Sequence, residues 1–87
     1  MVYVTHSPKG KRFTTITAAR KDAYKEISKN GGYVPIYLLD NEGFLVGNWP
    51  VGEVSYEFGK IIYTKDIKSK RGTRYRLNRD GRLGKKV

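Results

Sequence analysis

The sequence predicts an α+β fold: one small domain over residues 1–87, its antiparallel sheet in the order β-β-α-β-β-β-β with one helix packed on a face. Three observations point there. A single segment, around residues 17–30, repeats its apolar residues at helical spacing. Short runs rich in β-branched and aromatic residues surround it, punctuated by Gly, Pro, Asn and Asp. With 87 residues, 38% hydrophobic and 13% aromatic, the chain can bury one core, and it is too apolar to be disordered even at a net charge of +10.

Residues 1–6 alternate, with Val2 and Val4 on one side and Tyr3 and Thr5 on the other. Ser7-Pro8-Lys9-Gly10 supplies a turn, because proline presets φ at the second position and glycine suits the fourth. Residues 11–16 then return as a second strand. Thr17 reads as the helix N-cap and Gly31 as the left-handed residue after its last turn. Between them Ile16, Ala19, Ala23, Tyr24 and Ile27 form one narrow apolar stripe, so the helix packs by one face.

Residues 33–39 and 44–49 read as two apolar strands joined by Asp40-Asn41-Glu42-Gly43, a type I turn closed by a glycine bulge. Pro35 lacks a backbone donor and favours an edge or the start of a strand. After Pro50-Val51-Gly52, residues 53–64 resume as one long strand bent at Gly59, and a basic connection over 65–72 follows. Residues 84–87 read as a flexible tail.

The segment 73–83 (TRYRLNRDGRL) repeats the pattern of 35–45 (PIYLLDNEGFL). Tyr37 aligns with Tyr75, Leu39 with Leu77, Gly43 with Gly81 and Leu45 with Leu83, while Asp40 gives way to Asn78, another good turn initiator. In a common hairpin register, Tyr75, Leu77 and Leu83 share one face of the second copy. Arg74, Arg76 and Arg82 share the other, with Arg79 in the turn. An apolar-backed ribbon holds its guanidinium groups at strand spacing, which a flexible basic tail does not.

Charge is uneven along the chain. Residues 1–32 carry seven basic and two acidic groups, residues 33–64 one and four, and residues 65–87 ten and two. Such a field attracts polyanions. The expected nucleic-acid contacts are Arg74, Arg76, Arg79 and Arg82, with Lys68, Lys70, Arg71, Lys85 and Lys86 beside them. A secondary basic patch comprises Lys9, Lys11, Arg12, Arg20 and Lys21. Because a two-stranded ribbon fits the major groove and arginine can read guanine or clamp phosphate, the expected partner is double-stranded DNA ahead of RNA. A cationic edge also protects a sheet from edge-to-edge aggregation, so the ribbon has a purely structural reading as well.

Chemistry is sparse. His6 is the sole histidine and there is no cysteine, so no metal-ligand set or nucleophile–base pair stands out and no cofactor is expected. The expectation is a non-enzymatic protein. Two other readings compete. One is an inhibitor or assembly module that docks its tyrosine-rich basic surface on an acidic protein, with Trp49, Tyr56 and Phe58 as an apolar patch. The other is a small ribosome-linked ribonuclease that uses arginines with Tyr63 and Tyr75. With no apolar run long enough to span a bilayer, no membrane partner is expected, and the cysteine-free composition fits the cytoplasm.

Overall fold

The computed structural model describes residues 1–65 and 72–87. Its elements run β1 (Val2–Thr5), β2 (Lys11–Phe13), α1 (Ile16–Asn30), β3 (Tyr33–Leu39), β4 (Gly52–Glu57), β5 (Lys60–Lys65), β6 (Thr73–Leu77) and β7 (Leu83–Lys86). All seven strands join one antiparallel sheet in the order β2-β1-β3-β4-β5-β6-β7, with α1 across one face. This is the α+β architecture that the sequence predicts.

Alternation along each strand decides what meets the helix. Val34, Val54, Tyr63 and Tyr75 lie directly opposite one another across four strands. The first three join Ile36, Leu77 and the helix residues Ala19, Ala23 and Ile27 in the core. Gly52 belongs to this packing, because a Cβ there would run into the Tyr63 ring and hydroxyl. Alternation sends the intervening residues to the opposite face, which the helix leaves uncovered: Tyr33, Pro35 and Tyr37 from β3, Glu53, Ser55 and Glu57 from β4, and Arg74 and Arg76 from β6. That face is not bare, because Val4, Leu39 and Ile62 on it are buried.

Several boundaries differ from expectation. The helix begins two residues early: Thr15, with extended backbone at φ −129° and ψ 152°, caps it by accepting from the Ala18 N–H at 3.1 Å. Thr17 therefore lies within the first turn, and β2 stops at Phe13. Residues 53–64 are two strands, not one bent strand. Phe58 (φ 50°) and Gly59 (φ 79°) both adopt positive φ and form the two-residue turn between β4 and β5.

Residues 44–49 do not form a strand. Leu45 bridges Leu39 and the Val46 N–H reaches the Leu38 carbonyl at 2.8 Å, but Gly47 turns away at φ 74°. The chain rejoins β3 when the Val51 N–H meets the Ile36 carbonyl at 2.8 Å. β4 then pairs with the remaining edge of β3, which residues 44–49 would otherwise have extended along. At the other end of the chain, residues 84–87 are in register instead of trailing. Lys86 lies opposite Tyr75, and the Val87 N–H donates to the Arg74 carbonyl at 2.8 Å.

Candidate functional site

The two similar turns share their backbone hydrogen bonds, though their side-chain bonds differ: Asp40 Oδ1 accepts from the Glu42 and Phe44 N–H groups, whereas in the second turn Asp80 Oδ1 accepts from the Arg82 N–H. In the first, the Gly43 N–H donates to the Asp40 carbonyl at 3.0 Å and the Asp40 N–H to the Phe44 carbonyl at 2.9 Å. In the second, the Gly81 N–H donates to the Asn78 carbonyl at 3.0 Å and the Asn78 N–H to the Arg82 carbonyl at 2.9 Å. The bulge glycines match too, at φ 87° and 89°. Leu39 lies opposite Leu45 and Leu77 opposite Leu83, as the alignment requires.

The second hairpin fixes its arginines from behind. Leu77 is buried in the helix-covered core, with Leu83 packed against it, so Arg74 and Arg76 face the uncovered side. Arg76 is exposed and has no ion pair with a described residue. Arg74 is partly committed: its Nη2 contacts Glu57 Oε2, an oxygen that also accepts from the Ser55 hydroxyl at 3.1 Å. Arg82 stands 80% exposed with Asp80 at a loose 3.8 Å, and Arg79 is exposed in the turn. Lys85 and Lys86 extend the cationic edge from β7. Lys68, Lys70 and Arg71 lie outside the described residues.

The secondary patch divides into separate roles. Arg20 is a structural tether: its Nε donates to the Gly81 carbonyl at 2.8 Å, Nη2 to the Thr17 hydroxyl at 3.3 Å, and its guanidinium lies 5.0 Å from the Tyr63 ring centre. That use explains a cation in the first turns of a helix, where the dipole disfavours it. Lys11 pairs with Asp22 at 2.9 Å, and Lys9 is exposed on the β1–β2 turn. Arg12 lies opposite Val4, which lies opposite Tyr37, so Arg12 belongs to the uncovered face. Lys21 instead lines a groove of about 580 Å³ along α1 with Lys25, Lys29 and Arg79, above Phe13 and Tyr24.

Local sequence patterns do not reveal a cavity of about 730 Å³ on the uncovered face, lined by His6, Tyr33, Tyr37, Asn48, Trp49 and Glu53 among others. His6 is held there by Glu26, with Nε2 2.7 Å from Oε2. The alternation of YVPIYLL already separates Tyr33, Pro35 and Tyr37 from the core residues Val34 and Ile36. What it lacks is the return of Trp49 over that surface, a tertiary consequence of the looped-out segment. Burial, reinforced by the nearby Glu57 carboxylate, raises the Glu53 pKa above the ordinary carboxylate value.

The expected apolar patch is dispersed. Tyr56 is on the helix side of β4, Phe58 projects fully exposed from the β4–β5 turn, and Trp49 lines the cavity. Tyr63, a candidate in the ribonuclease reading, is 2% exposed and part of the core. No group of acidic, histidine or cysteine residues fit to hold a metal occurs among the described residues, and none of their helices is long and apolar enough to cross a membrane. No family model, curated protein or solved structure matches the chain.

Proposed function

We propose that this protein is a non-enzymatic nucleic-acid-binding domain, with the C-terminal β6–β7 hairpin as its principal contact. The observation that carries the reading is the division of that hairpin. Leu77 is 6% exposed in the core, while Arg76 on the same strand is open to solvent. Arginines held on a strand lose less conformational entropy on binding than those of a mobile tail, and their planar forks suit phosphates and base edges.

The case for duplex DNA is a two-stranded ribbon entering the major groove. Here β6 is also paired to β5 over four positions, from Lys65–Thr73 to Ile62–Arg76, so the ribbon is the margin of a continuous sheet. Arg74 and Arg76 address a partner lying across the uncovered face, and Arg79 and Arg82 one that passes the hairpin turn. Double-stranded DNA, single-stranded DNA and RNA are accordingly the three probes of the test.

Mobility shifts with each probe across a salt series measure the interaction. The expected result is binding that weakens linearly in log Kd against log salt, with a slope of several units for several phosphates neutralised. Absence of binding to all three probes at low salt contradicts the proposal. A partner recovered stoichiometrically from nuclease-treated extract, with no oligonucleotide binding, supports the acidic-protein reading instead.

A further inference from the structure

We infer that the cavity beside Trp49 is a stacking site for an unpaired nucleobase, so that a single strand crosses the uncovered face with its sugar-phosphate chain directed to arginines on either side. The inference rests on the nucleic-acid reading above and specifies the form of the ligand.

The aromatic rings are the first support. Tyr33 is 64% and Trp49 54% exposed, while Tyr37, lining the same cavity, is half-buried. Folding leaves much of the Tyr33 and Trp49 side chains in water, and flat π-faces on a sheet surface are what single-stranded bases stack on. A duplex keeps its bases stacked internally and can offer one here only after extruding it.

Sheet register supplies the second support. Tyr33, Ser55, Ile62 and Arg76 lie directly opposite one another on successive strands. Pro35, Glu53, Thr64 and Arg74 make the adjacent row. On the other flank, Tyr37, Val4 and Arg12 are aligned in the same way. The aromatic site is thus bracketed by arginines on one face. At ordinary strand spacing, Arg76 stands about 14 Å from Tyr33, and Arg12 about 10 Å from Tyr37, measured along the sheet. A few extended nucleotides cover that width.

Glu53 decides which part of the nucleotide enters. It lines the cavity, and no described cation pairs with it. A carboxylate there opposes a phosphate but accepts a hydrogen bond from a base amino group or ring N–H. Burial and the neighbouring Glu57 raise its pKa, so a donor from a base would replace hydration that the carboxylate has lost. Aromatic rings with a carboxylate also suit a cationic side chain. The +10 net charge of the protein works against that ligand and in favour of a polyanion.

Trp49 is the only tryptophan, so its emission reports on this cavity alone. Short single-stranded DNA and RNA are titrated into the full chain, alongside the matching duplex, with mobility shifts on the same samples. Single strands should quench Trp49 saturably at the concentrations at which they bind, and the duplex should bind without comparable quenching. Tyr33→Ala, at a largely exposed position, should weaken single-strand binding about tenfold and leave duplex binding unchanged. Single-strand binding with unaltered Trp49 emission and wild-type affinity in Tyr33→Ala overturns the stacking site while the nucleic-acid reading stands. Quenching by a lysine- and arginine-rich peptide, but not by oligonucleotides, assigns the cavity to a cationic protein segment and overturns it too. If no oligonucleotide shifts at all, both readings fall together.

Discussion

Arg20 carries one of the chain's many positive charges, yet it is directed inward, to the Gly81 carbonyl and the Tyr63 ring. From sequence it is indistinguishable from its neighbour Lys21, because its partners lie far along the chain. Glu53 is another residue whose meaning is tertiary. Its pKa is raised on folding by burial and then by Glu57. Between the ordinary carboxylate range and that raised value, the folded protein binds more protons than the unfolded chain, so this group's contribution to stability falls as pH rises. Glu53→Gln removes the effect. The variant should gain thermal midpoint relative to wild type as pH increases from the acid side of that window to neutrality. A midpoint difference that does not change with pH contradicts the assignment.

Among the elements, the two glycine-bulge turns were legible because turn chemistry is local: Asp40 or Asn78 starts the turn and Gly43 or Gly81 ends it at positive φ. The same two turns differ in what surrounds them. Nothing lies within 4 Å of a Cβ built on Gly43, whereas a Cβ on Gly81 would strike the Thr17 carbonyl and come within 2.9 Å of the Lys21 backbone nitrogen. The Gly81 turn is the joint between the hairpin and the helix. Both Gly43→Ala and Gly81→Ala incur the positive-φ penalty of about 1–2 kcal/mol. Gly81→Ala should cost at least about 1 kcal/mol more from the displaced contact, read as a lower urea midpoint at equal slope. Equal losses in the two variants would show that the joint does not constrain the hairpin.

Elsewhere local signals failed for identifiable reasons. The sequence suggests a bend in place of the Phe58-Gly59 turn because phenylalanine, here at φ 50°, is a poor turn signature. Residues 44–49 have the apolar content of a strand but not the place of one. In the fold Phe44, Val46 and Trp49 are exposed, and the edge of β3 that they would extend along is taken by β4. The sequence does not single out the Thr15 cap, because three threonines near the helix start all suit the role and only the backbone picks one.

At the scale of the molecule, the fold gathers charge that the sequence only distributes. Arg12 near one end of the chain and Arg74 and Arg76 near the other share a face of the sheet, bracketing the aromatic cavity. The apolar middle of the chain, where acidic groups outnumber basic ones, supplies β3, β4 and most of β5 between them. The ribbon arginines were legible from alternation, whereas their alignment with Tyr33 and Glu53 depends on strand order, which local patterns do not determine. The groove of Lys21, Lys25, Lys29 and Arg79 likewise exists only once the hairpin docks on the helix.

The measurement that tests the central claim most directly is the nucleic-acid affinity of the double variant Arg74→Ala, Arg76→Ala, compared with wild type at one low salt concentration, with circular dichroism confirming the fold. The account predicts a loss of affinity of about tenfold or more and a salt slope reduced by about one unit per phosphate contact removed. Wild-type affinity and an unchanged slope in a folded double variant would contradict it.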